Sequence, residues 1–159
     1  MTSVEPIGLI KKHWNKTPVP IYDIIYEMGL ELVFQSMPDN VSGWIERLPS
    51  GKYKVAVNSN HPSTRQRFTA AHELGHYIYH RDLLGDGVGD NRAYRTDGTG
   101  RPNANILPIH ERQANSFAAN TLMPRHVIAA MPGPHDVSTL AELFGVSQGT
   151  MRVRLGLSE

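Results

Sequence analysis

The chain has 159 residues, 40% of them hydrophobic and 19% charged, which suits a globular domain with a sizeable core and not a disordered chain. Its formal net charge is +1, so the total carries no polyanion-binding signature, and the absence of cysteine excludes both a disulfide scaffold and a thiolate metal site. Any metal held here must be held by His, Asp or Glu.

In chain order, residues 1–19 read as a helical or extended lead-in. They contain no long apolar run and no small-residue cleavage signal, and no segment approaches the length of a membrane span. A cytoplasmic location is the expectation. Residues 20–29, "PIYDIIYEMG", predict a short helix closed by Gly29. Three strand-like runs follow at 30–36, 42–48 and 52–58, joined by short turn-rich links, which predicts an antiparallel meander. "KYKVAV" alternates, so one of its faces is expected to be buried.

A helix is predicted from Ser63 to about His80, with Ser63 and Gln66 at capping-box spacing. Residues 83–105 are rich in Gly, Asp and Asn and predict a long loop, either a lid or an insertion. Further helices fit 109–122 and the run after Pro124, before "PGP" breaks the chain. Residues 136–157 read as a helix-turn-helix-like pair. Asp136 or Ser138 would cap its first helix, Gly145 would end it, and Ser147 would cap the second. The expected fold is one α+β domain over 1–159, with a small antiparallel sheet of about three strands packed on helices.

Chemistry concentrates in "RFTAAHELGHYIYHRD", residues 67–82. On a helix, His72 and His76 lie about 40° apart and one turn along the axis, so both imidazoles reach one ion. Glu73 falls on the flank of that face, poorly placed as a ligand but well placed to touch a water at the ion. Gly75 costs about 1 kcal/mol relative to alanine in a helix, which asks for a packing reason such as close approach of another backbone. The competing reading is a pair of surface or satisfied core histidines. A catalytic zinc site needs three protein ligands and an open position. His80 continues the spacing but lies about 12 Å along the axis from His72, too far for metal–nitrogen bonds of about 2 Å. The metzincin pattern, with a glycine turn and a third histidine further on, is absent. The next helix offers His110 and Glu111, and geometry alone prefers Glu111 only modestly. Glu111 shares a helical face with Asn115, Ala118 and Leu122, which places Asn115 as an outer partner. Taken alone, Glu111 also fits a solvated charge near a helix start.

"RQRFTAAHELGHYIYH", followed after a variable loop by "ERQANSFAANTLMP", resembles the ImmA/IrrE family of metallopeptidases. "VAVNSNHPSTRQRF" before it and "LAELFGVSQGTMRVRLGL" after it also fit, so the likeness spans roughly residues 20–157. The resemblance implies a gluzincin-like zinc site with His72, His76 and Glu111 as ligands and Glu73 as the catalytic carboxylate. It implies a protein substrate or partner of the helix-turn-helix repressor or antitoxin kind, whose cleavage relieves repression. The family often has a leucine at the position of Ala70 or Ala71, a departure that touches packing, and the 83–105 loop is long for it. Histidine and carboxylate ligands also suit Mn2+ or Fe2+.

Two other functions compete. The C-terminal pair suggests a DNA-binding regulator, but residues 136–159 hold two arginines against three acids, a net of −1 and no basic footprint. A non-proteolytic partner-binding protein is the other; it has no need of the Glu73 carboxylate. A substrate strand is expected to add to an exposed edge of the sheet, with "KYKVAVN" the candidate edge. No residue stands out as the oxyanion stabiliser; His80, His110, Tyr77 and Tyr79 are the polar groups nearest the motif.

Overall fold

The computed structural model describes residues 6–84, 92–96, 105–132 and 136–157. Two short helices lead in, α1 (Pro6–His13) and α2 (Ile21–Glu27). Strands β1 (Glu31–Gln35), β2 (Val41–Arg47) and β3 (Tyr53–Asn58) follow, then the long helix α3 (Ser63–Tyr79) and a 3-10 turn (Arg81–Leu83). The order continues with β4 (Arg92–Thr96), α4 (Pro108–Leu122), α5 (Arg125–Ala130), α6 (Val137–Phe144) and α7 (Gln148–Arg154). The α+β expectation holds: a small mixed sheet packs on helices, and the C-terminal pair is α6 and α7.

The sheet is not the expected antiparallel meander. Its order is β1-β3-β2-β4. β1 runs parallel to β3, while β2 is antiparallel to both β3 and β4. The chain leaves β1, passes β3's place and lays down β2 on its far side. The cause lies in β3 itself. Val55, Ala56 and Val57 are all fully buried, so both faces of this strand are covered, not one as its alternation suggested. Val55 and Val57 face the main core with Leu32 and Ile45, and Ala56 joins Met37 and Val41 in a small cluster on the other face. A strand apolar on both faces belongs at the centre of a sheet. "KYKVAVN" is therefore an interior strand, hydrogen-bonded on both sides, and cannot accept a substrate strand. Asn58, at its end, fixes the crossover. Its side-chain amide donates to the carbonyls of Met37 (3.2 Å), Pro38 (3.0 Å) and Val41 (2.8 Å), and its Oδ1 accepts from the Met37 N–H.

α3 lies across the sheet. Gly43 of β2 permits this: a Cβ there would run into the Ala56 carbonyl and lie 2.9 Å from the Thr69 methyl. Ser63 does not cap α3. Pro62 holds the cap position without a side-chain bond, and Gln66 turns back to donate to the Asn58 carbonyl at 3.1 Å. Proline's fixed φ starts the helix without a hydroxyl.

The C-terminal pair follows its sequence signals. Asp136 accepts from the Thr139 N–H, and Ser147 from the Thr150 N–H. Gly145 takes φ +68 at the end of α6. A Cβ there would also meet Arg67 Nε at 2.7 Å. Arg67 of α3 donates to the carbonyls of Gly145 (3.2 Å), Phe144 (3.4 Å) and Val19 (2.8 Å), tying both chain ends to the central helix. Leu140, Phe144 and Met151 complete the main core. The 3-10 turn ends at Leu83, where the expected 83–105 loop begins, and β4 is regular structure within it. The lid reading itself falls largely on residues 85–91 and 97–104, outside the described residues. Among the described residues no helix is long and apolar enough to cross a membrane.

Candidate metal centre

α3 and α4 meet at Gly75. A Cβ on Gly75 would stand 3.2 Å from Ala114 Cα and 3.0 Å from the Phe117 ring. The missing side chain lets α4 close on the ligand face of α3, as the mid-helix glycine suggested. Filling that gap would cost on the order of 1–3 kcal/mol by overpacking.

That approach brings four sequence-predicted residues together. His72, Glu73 and His76 are fully buried, and their ligand atoms lie within 4.8 Å of one another. Glu111 reaches in from the first turn of α4. Its Oε1 stands 2.6 Å from His76 Nε2 and 3.3 Å from His72 Nε2. The neighbouring His110 is held elsewhere: its Nδ1 accepts from the Leu107 N–H at 2.9 Å, and its ring packs on His80 with centroids 4.8 Å apart. Of the two candidates on α4, Glu111 is the one that meets His72 and His76. Burial works to raise the Glu111 pKa, but hydrogen bonds with His72 and His76 and their charge overcome it and hold the carboxyl at about 2. It is ionised throughout the neutral range.

The outer nitrogens of both rings are held. His72 Nδ1 lies 2.7 Å from Asn115 Oδ1, the outer partner expected from the helical face. His76 Nδ1 lies 2.9 Å from His80 Nδ1, and His80 Nε2 lies 2.7 Å from Gln113 Oε1. His80 is thus no ligand. It is the middle of a relay from Gln113 to His76 that sequence reasoning missed. The signal was present in the second four-residue step after His72, but only the placement of α4 supplies Gln113. Burial pushes the His80 pKa below the usual imidazole range, which favours the neutral ring a relay needs.

This pattern tests the fit of a metal. A neutral imidazole donates from one nitrogen only. If His72 Nδ1 donates to Asn115, its Nε2 presents a lone pair to Glu111 Oε1. If His80 Nε2 donates to Gln113, its Nδ1 accepts from His76 Nδ1, and His76 Nε2 also presents a lone pair to Glu111 Oε1. Three acceptors then converge unless a proton sits between them: protonated rings donate to Glu111 and hold its carboxyl low, and a metal cation takes the place of those protons. Two neutral imidazoles, each backed by an outer hydrogen bond, and a carboxylate form a suitable zinc donor set. Tyr77 packs against Tyr53 with Arg81 over its ring, and Tyr79 sits exposed against Phe117, so neither joins the cluster.

His80→Ala is expected to lower metal affinity about 10–100-fold, the usual result of removing an outer partner of a ligating histidine. Competition with a chromophoric chelator would measure it. Unchanged affinity would assign the relay to packing alone.

A buried His-Glu-x-x-His cluster on a helix laid across a small sheet, joined by a carboxylate from the next helix, defines a metallopeptidase-type site. The model of the IrrE N-terminal-like domain, the M78 peptidase family, matches residues 27–156, and the chain belongs to this family. No curated protein matches significantly. A solved structure of a Mycobacterium tuberculosis transcriptional regulator shares the fold with TM-score 0.61 at 20% identity. The match covers 96% of this chain and 46% of that one, so this chain spans just under half of that protein.

Proposed function

We propose that the protein is a zinc-dependent endopeptidase that cleaves a helix-turn-helix repressor or antitoxin partner and so relieves transcriptional repression. The single observation that carries this reading is the convergence of His72, His76 and Glu111 beside the buried Glu73. His72, His76 and Glu111 would hold the ion, and Mn2+ or Fe2+ would fit the same donors. A bound zinc ion supplies Lewis acidity toward water and a peptide carbonyl. Glu73 accepts a proton from the attacking water as the oxygen–carbon bond forms. It returns that proton to the amine nitrogen as the carbon–nitrogen bond breaks. Asn115 and the His80–Gln113 relay hold the two imidazoles in the tautomer that leaves Nε2 bare. Membership of a peptidase family supports the cleavage reading; the setting proposed for it is the cytoplasm, with a regulatory protein as substrate.

The experiment is to incubate the zinc-loaded protein with helix-turn-helix repressors encoded near its gene and follow intact masses. Two complementary fragments that vanish with a chelator are expected. A zinc-loaded protein that binds a repressor but never cuts it would overturn the peptidase reading in favour of sequestration.

A further inference from the structure

A groove of about 890 Å³ runs between α3, α4, α5 and α7, next to the metal centre but outside it. Its α3 wall is Arg65 and Phe68, which continue the stripe of His72 and His76 at helical spacing. Arg65 lies about 10 Å along the axis from His72. Its α4 wall begins at Asn115, the residue that holds His72, and the far side carries Arg125 and Arg154.

The lining is chemically one-sided. It contains three arginines and no acidic residue. Among the described residues none of the three forms an ion pair. Two are anchored by neutral oxygens: Arg65 donates to Ser42 Oγ at 3.2 Å, and Arg154 Nε to the Met123 carbonyl at 2.9 Å. Burial, then the like charge of Arg125, push the Arg154 pKa down, so two cations share one end of the groove uncompensated. Between them Phe68, Met123, Val146 and Val153 supply an apolar floor.

We propose that this groove binds an acidic, partly apolar segment of the protein substrate, with Arg65, Arg125 and Arg154 selecting Glu or Asp side chains. The proposal rests on the peptidase reading for its purpose, but not for its test. A concave, half-apolar groove suits a peptide, whereas a nucleic-acid duplex presents a convex phosphate surface with nothing to fill an apolar floor. An extended peptide rises about 3.3 Å per residue, so the acidic side chain falls about three residues from the scissile bond. Because Asn115 borders both spaces, the bound segment abuts the group that orients His72.

The test uses the full chain and fluorescein-labelled peptides of alternating Glu and Leu, with Gln–Leu and Lys–Leu versions as controls, read by fluorescence anisotropy. The Glu–Leu peptide is expected to bind at least 10-fold more tightly than the Gln–Leu peptide. Arg65→Gln with Arg125→Gln should weaken it at least 10-fold, and Lys52→Gln, an exposed cation elsewhere, should not. Binding should persist in Glu73→Gln, so loss of cleavage and loss of groove binding are read separately. Equal binding of the Glu–Leu and Gln–Leu peptides, or no effect of the arginine pair, overturns the proposal. Displacement of the peptide by duplex DNA at physiological salt, lost in the same arginine variant, would reassign the groove to nucleic acid.

Discussion

Glu73→Gln is expected to reduce peptide cleavage about 10²–10⁴-fold while leaving the metal bound, the range for loss of a positioned general base. Glutamine keeps the size of the side chain but cannot accept and return the water proton. The side chain is fully buried beside the two histidines, so bulk solvent is poorly placed to replace it. Turnover is read on a repressor substrate and metal content on the same preparation. A variant that keeps its metal and full activity would remove Glu73 from the chemistry. A variant that loses both would make Glu73 a ligand instead, which its place in the 4.8 Å cluster permits and its position on the flank of the helix disfavours.

Glu111→Ala is expected to take metal content after dialysis from about one equivalent to near zero. It removes one of the three proposed ligands, so the loss of affinity should exceed the roughly 10–100-fold typical of outer partners. It also removes a carboxylate charge that would offset an ion beside the two buried imidazoles. His110→Ala, one residue away, is the matched control and should keep its metal, because that ring faces the start of α4. Metal retained in Glu111→Ala but lost in His110→Ala would reverse the assignment of the third ligand. The metal-free protein also reports on Glu111. Its carboxyl is held at about 2 in the fold against an ordinary value of 4.5. The stability it contributes is present above about pH 4.5 and is lost as the pH falls towards 2.

The centre of the protein was legible because its chemistry is local. Two histidines one helical turn apart with a glutamate between them can be read without knowing what α3 packs against. Gly75 announced a close neighbour, and the caps at Asp136, Gly145 and Ser147 announced the C-terminal pair, because each satisfies backbone groups within a few residues. Failures fell where partners are distant. The capping-box spacing at Ser63 and Gln66 went unused, because Gln66 found a better acceptor in the Asn58 carbonyl across a turn.

By itself the sequence determined the metal motif, the helices that carry it, the three strand segments and the family. These follow from periodicity, caps and residue spacing, which act over one or two turns of chain. Only the tertiary structure decided that β3 is central and β1 parallel to it, because strand order depends on which faces are covered by other elements. It likewise set Glu111, not His110, against His72 and His76, and aligned Gln113 and His80 behind His76. Adjacent residues on a helix point about 100° apart, so which of two neighbours meets a distant histidine is set by how α4 docks on α3.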